Sequence, residues 1–131
     1  MRILITDDDE NHLLLMQSIL APFGDCDCAS NGQEAVDAVA SLLQEQSTYD
    51  LIFLDIMMPV MDGQEALRQI RAKEKEARVE PMQQSKVFMT SALDDADNVW
   101  EAHFGGLATG YFVKPIRPSV VVRRLEELEL I

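Results

Sequence analysis

Leu51-Ile52-Phe53-Leu54-Asp55 is an apolar run that stops on an acid, followed by Ile56-Met57-Met58-Pro59 and then by Asp62-Gly63. Large apolar residues in succession, with no polar alternation, read as a strand buried on both faces, which is the habit of parallel sheets. The proline and glycine beyond the acid mark a loop, and Ala66, Leu67 and Ile70 belong to the helix that follows.

The same strand–loop–helix unit recurs on either side. Upstream, Ile3-Leu4-Ile5-Thr6 ends abruptly on Asp7-Asp8-Asp9. Leu15, Ile19 and Phe23, at four-residue spacing, predict a helix face closed by Pro22-Phe23-Gly24. Asp25-Cys26-Asp27-Cys28-Ala29 alternates as a short strand does. Ser30-Asn31-Gly32-Gln33-Glu34 opens a second helix, with Val36, Val39 and Leu43 as its inner stripe. Downstream, residues 73–85 are polar, contain Pro81, and read as a long connection on the surface. Lys86 to Ser91 is a fourth strand, and Ala96 to Phe104 a fourth helix behind the caps Asp94 and Asp95. Tyr111-Phe112-Val113 is a fifth strand ending at Lys114-Pro115, and Val121, Leu125 and Leu128 mark a last helix. Strand–helix units in this succession imply a doubly wound α/β fold. Its parallel sheet has helices on both faces, because each parallel crossover is right-handed and needs a helix.

Composition narrows the function classes. A chain of 131 residues with 47% hydrophobic residues suits one domain with a real core. Its 23 acids against 11 bases, a net charge of −12, argue against binding nucleic acid or an anionic membrane through bulk electrostatics. No apolar run approaches the roughly 20 residues of a membrane span, and the start turns acidic too soon for a signal peptide. Two cysteines cannot build a disulfide framework, so a cytoplasmic location is expected. Cys26 and Cys28 are assigned to opposite faces of their strand, which argues against a shared ion. His12 and His103 offer no ligand spacing with them.

In parallel sheets of this kind, sites lie outside the carboxyl ends of the strands. The residues there are Asp7-Asp8-Asp9, Asp55, Ser91 and Lys114. Crowded carboxylates repel one another and form a cation trap, and an all-oxygen donor set suits Mg2+, or Mn2+, better than zinc. A lysine and a hydroxyl beside a metal and a carboxylate is an arrangement that stabilises a phosphoryl group in transfer. Asp7 and Asp8 taken alone would read as helix caps, and Asp9 and Glu10 keep that reading.

On these motifs the chain resembles the receiver domain of two-component response regulators, the CheY-like family. Ile3-Leu4-Ile5-Thr6-Asp7-Asp8-Asp9 matches the acidic first-strand motif, and Tyr49-Asp50-Leu51-Ile52-Phe53-Leu54-Asp55-Ile56-Met57-Met58-Pro59 the phosphoacceptor motif. Thr90-Ser91-Ala92 matches the hydroxyl switch, and Tyr111-Phe112-Val113-Lys114-Pro115 the lysine–proline end. The resemblance implies a flavodoxin-like (βα)5 fold with strand order 2-1-3-4-5, and residues 1–131 as a single receiver domain with no output domain in the chain. It implies that Asp55 accepts phosphate from a sensor histidine kinase or a histidine phosphotransfer protein. Mg2+ would be held by Asp8, Asp55, the backbone carbonyl of Met57, and Asp7 through water. Lys114 would bind a phosphoryl oxygen, Ser91 would close on another, and Tyr111 would turn inward behind Ser91. The Lys114–Pro115 bond would be cis. Output would pass to a downstream protein through the face made by the fourth helix, fifth strand and last helix, from a monomer or a phosphorylation-dependent homodimer. Ser91 rather than Thr90 takes the switch role, because the two alternate across the strand and the small Ala92 follows Ser91. The chain departs from the family pattern at Met57, bulky and apolar two residues after the acceptor where many receivers carry a polar group, at Leu107, where glycine is usual, and in the length of its 73–85 connection.

Two alternatives are weighed. One is a phosphorelay intermediate that passes the phosphoryl group to a histidine protein. The other is a metal-dependent small-molecule phosphatase, disfavoured because Ile56-Met57 after Asp55 supplies no second aspartate as general acid. The domain is thus expected to be a switch rather than an enzyme, catalysing only its own phosphorylation and dephosphorylation.

Overall fold

Five parallel strands line up in the order β2-β1-β3-β4-β5 in a computed structural model that describes residues 1–92 and 107–131. They are β1 (Arg2–Thr6), β2 (Asp25–Ala29), β3 (Leu51–Asp55), β4 (Lys86–Ser91) and β5 (Gly110–Val113). Four described helices connect or follow them: α1 (Glu10–Leu20), α2 (Gly32–Gln44), α3 (Gly63–Glu76) and, last in the chain, α4 (Pro118–Glu127). The expected helix over 96–104, with its caps and with Trp100 and His103, lies outside the described residues.

Alternate residues of each central strand feed two separate cores, which is why the middles of these strands are unbroken apolar runs. Ile3, Ile5, Leu51, Phe53, Phe88 and Phe112 pack with Met16, Ile19 and Leu20 of α1 and Val121 and Leu125 of α4. Leu4, Ile52, Leu54, Val87 and Met89 pack on the other side with α2 and α3. Phe53, Phe88 and Phe112 form a row across three strands, with ring centroids 5.5–6.2 Å apart, a spacing at which aromatic rings attract beyond simple burial.

Short polar side chains start the helices where the strands hand over to them. Asp9, Asn31 and Asp62 each accept a backbone N–H of the first turn. Glu34 reaches back to the Ser30 amide at 2.8 Å and completes a reciprocal cap. Gly63 is required by close approach: a Cβ there would sit 2.2 Å from the Asp55 carbonyl oxygen. The start of α3 is therefore pressed against the end of β3.

Three expectations need correction. Leu15 is exposed, and the inner face of α1 is Met16, Ile19 and Leu20, with Leu13 at its edge. The run Leu13-Leu14-Leu15-Met16 is apolar all round, so it carries no phase of its own, and Phe23 already belongs to a 3-10 turn past the helix. Cys26 and Cys28 share a face of β2, because side chains two apart on a strand point the same way. They lie opposite Ile3 and Ile5 in register, and burial pushes both thiols up.

The third correction concerns residues 73–85. Helix α3 runs through Glu76, and Glu74 is fully buried. Its carboxylate accepts Arg71 Nη1 at 2.7 Å and the Ser85 amide at 2.8 Å. Arg71 also donates to the carbonyls of Ser85 and, through Nε, of Leu107. Lys75 to Arg78, Glu80 and the 3-10 turn at Pro81–Gln83 do lie on the surface as expected, while Glu74 and Ser85 anchor the two ends.

Candidate functional site

Register brings the strand ends together. Thr6 is paired with Leu54, Asp55 with Thr90, and Ser91 with Val113. Asp7, Asp55, Ser91 and Lys114 thus stand along one edge of the sheet, at its carboxyl end. Asp7 and Asp55 are buried and Asp8 is exposed, and one carboxylate oxygen of each lies within 4.8 Å of the others. Lys114 Nζ is 3.0 Å from Asp7 Oδ2 and 3.4 Å from Asp55 Oδ2.

The two buried acids behave differently. Burial pushes Asp55 up to about 6, the nearby Asp7 charge adds to this, and Lys114 only partly offsets it. Burial also acts to raise Asp7, but hydrogen bonds from His12, the Asp9 amide and Lys114 outweigh it and bring Asp7 down to about 2. Lys114 is desolvated too, yet its bond to Asp7 and the charge of Asp55 hold it above the usual lysine range. Asp7 is therefore the site's settled anion, and Asp55 the acid that ionises only against repulsion.

A cation would relieve that repulsion. Three convergent carboxylates with no sulfur among them form a hard donor set, and their spacing can close onto the octahedral shell of Mg2+. The residues present fit the ion expected there. Ser91 is fully buried, and its Oγ has no hydrogen-bond partner among the described residues. A buried hydroxyl left unpaired costs about 1–3 kcal/mol, so this one is suited to a ligand oxygen. Thr90 alternates to the opposite face, with Phe88. Tyr111 is about half exposed at 46%, and the Met57 side chain projects outward. The Lys114–Pro115 peptide is cis.

One neighbour of the site has no counterpart among the sequence expectations. His12 Nδ1 lies 2.5 Å from Asp7 Oδ2, in the first turn of α1. Its signal in the sequence was only its position, five residues after Asp7.

The chain is 31% identical over 128 residues to regulatory protein VanRB of Enterococcus faecalis, an alignment covering 97% of this chain and 51% of that protein. It thus spans about half the length of that relative. A chain of the CheX–CheY–BeF3–Mg2+ complex of Borrelia burgdorferi superposes with a TM-score of 0.79 at 29% identity, covering 97% of this chain and 87% of that one. A chain of the complex between the Saccharomyces cerevisiae histidine phosphotransfer protein Ypd1 and the receiver domain of Ssk1 gives 0.79 at 25%, with coverage of 97% and 87%. The family model described as the response regulator receiver domain matches residues 3–126, and the chain belongs to that family.

Proposed function

We propose that residues 1–131 form one receiver domain whose Asp55 takes a phosphoryl group from a histidine kinase or a histidine phosphotransfer protein, and that the change is read by a partner protein. The carrying observation is the Asp55 carboxylate set between Asp7, Asp8 and the Lys114 ammonium. An Asp55 oxygen forms the new bond to phosphorus. The phosphorus–nitrogen bond of the donor histidine breaks, and its electron pair leaves on the imidazole. Mg2+ held by Asp8, Asp55 and the Met57 carbonyl, and by Asp7 through water, would neutralise charge on the transferring oxygens. Lys114 reaches one phosphoryl oxygen, and Ser91 satisfies its unpaired hydroxyl on another. The likeness to a chain of the Ypd1–Ssk1 complex supports a phosphotransfer partner.

Output is assigned to the face of β5 and α4, with Tyr111 as its moving residue. Tyr111, Val113 and Val120 are exposed there around a cleft of about 390 Å³ that Ile116 and Arg117 also line. Onward relay to a second histidine protein uses the same site and is the alternative outcome when a phosphotransfer domain is added. No described helix is long and apolar enough to cross a membrane, and the cytoplasm is the proposed location.

The test is uptake of one phosphoryl mass from phosphoramidate that depends on Mg2+ and is blocked by EDTA. A protein that stays unmodified with Mg2+ present contradicts the reading, and multiple turnover of phosphate esters would favour a phosphatase. Ser91→Ala should leave uptake nearly intact while abolishing phosphorylation-dependent binding of the partner. Thr90→Ala should keep that response, and the reverse pattern would reassign the switch.

The acid pair sets a pH dependence in the metal-free protein. Asp55, raised when folded, binds its proton more tightly in the native state, so stability should fall as pH rises from about 4 to about 6. Asp7, lowered when folded, contributes stability above about 4 that is lost as pH falls towards about 2. A cation binding only the ionised native site reverses the first loss. Thermal melts should therefore show a larger Mg2+-induced rise in Tm at pH 7 than at pH 5, and equal rises would contradict the site.

A further inference from the structure

We infer that His12 is a positioning residue for phosphoryl transfer: it holds Asp7 from behind, so that Lys114 can leave Asp7 for the phosphoryl group. This rests on the proposed acceptor role of Asp55.

Asp7 is 1% exposed, and each of its oxygens is engaged. Oδ1 accepts the Asp9 amide at 2.9 Å. Oδ2 accepts both Lys114 Nζ at 3.0 Å and His12 Nδ1 at 2.5 Å. In this arrangement Lys114 pairs with both acids, more closely with Asp7 at 3.0 Å than with the acceptor Asp55 at 3.4 Å. Contact with a phosphoryl oxygen requires the ammonium to give up Oδ2. Without His12, Oδ2 would then be left to the water that joins Asp7 to the proposed Mg2+, and a buried carboxylate oxygen short of donors is costly. With His12 in place, Oδ2 keeps one N–H when Lys114 departs, and the lysine's transfer becomes an exchange between two satisfied states.

The ring is built for this task. Asp7 Oδ2 accepts from the Lys114 ammonium and Oδ1 from the Asp9 amide, so the carboxylate acts as acceptor throughout and the proton of the bond shared with His12 lies on Nδ1. Nε2 is buried and has no hydrogen-bond partner among the described residues, so a proton there would be stranded. The imidazole sits on the first turn of α1, fixed by the Asp9 cap, with its side chain 11% exposed.

Asparagine places its amide nitrogen where Nδ1 stands, glutamine does not, and leucine offers no donor. With phosphoramidate and saturating Mg2+, His12→Leu should take up phosphate roughly tenfold to a hundredfold more slowly, the equivalent of one lost charge-assisted hydrogen bond. His12→Gln should resemble it. His12→Asn should stay within about twofold of wild type, a rescue that filling space alone would not produce. Nitrogen-15 NMR of the unmodified wild type should show the proton on Nδ1. An Nε2–H tautomer overturns the inference even if every variant fails to fold. Equal rates in wild type and His12→Leu, or His12→Asn as slow as His12→Leu, overturn it while leaving Asp55 phosphorylation intact. Wild type that takes up no phosphate removes the receiver reading and this inference together.

Discussion

Arg71→Ala should lower the free energy of unfolding by about 3–5 kcal/mol in urea denaturation, the cost of leaving a buried charge without its partner. Glu74 is completely buried, and Arg71 is its only charged partner among the described residues. The same guanidinium also ties the root of β4, through the Ser85 carbonyl, to Leu107 on the approach to β5. Domains of this size have a total stability of about 5–15 kcal/mol, so the variant should be marginal at best. Arg68→Ala is the control. Arg68 and Glu65 form an ion pair at the same helical spacing and a similar distance, 2.9 Å against 2.7 Å, but both side chains are about half exposed. Exposed pairs of that kind contribute about 0.2–1 kcal/mol. Similar losses from the two variants would show that burial of Glu74 is not what makes its pair matter.

Lys114→Met should slow phosphoryl uptake by about 10²–10³-fold at saturating Mg2+, the usual cost of removing one donor aimed at a transition-state oxygen. Lys114→Arg should restore little. The site offers a point charge between Asp7 and Asp55, and a planar guanidinium has a different shape and reach. Without the ammonium, two buried carboxylates face each other across the metal-free site, so part of the loss could come from folding. Rates measured only at Mg2+ concentrations that restore the wild-type Tm separate the two. A Lys114→Met protein that takes up phosphate at the wild-type rate would remove lysine from the proposed mechanism.

The fold and most of the candidate site were legible because both depend on patterns the chain carries locally. Buried parallel strands show as unbroken apolar runs, and the topology then places whatever follows them at one edge. Asp7, Asp55, Ser91 and Lys114 could be gathered from strand ends for that reason. What escaped depends on partners distant in sequence. Nothing near Glu74 distinguishes it from Glu65: each has an arginine three residues away, and only the approach of Ser85 buries one and not the other. The phase of α1 was hidden by Leu13-Leu14-Leu15-Met16, where any rotation buries a large apolar residue and the sheet chooses among them. His12 was read against the cysteines, when its partner is Asp7, brought within reach by the turn that Asp9 caps.

Asp55 as the covalent acceptor is the central claim, and one chemical mapping experiment tests it directly. Borohydride reduces an aspartyl phosphate to homoserine at the modified position. After treatment with phosphoramidate and Mg2+, peptide mass spectrometry of wild type should place homoserine at residue 55 and nowhere else, and Asp55→Asn should yield none. Homoserine at Asp7 or Asp8, or its persistence in Asp55→Asn, would contradict the account.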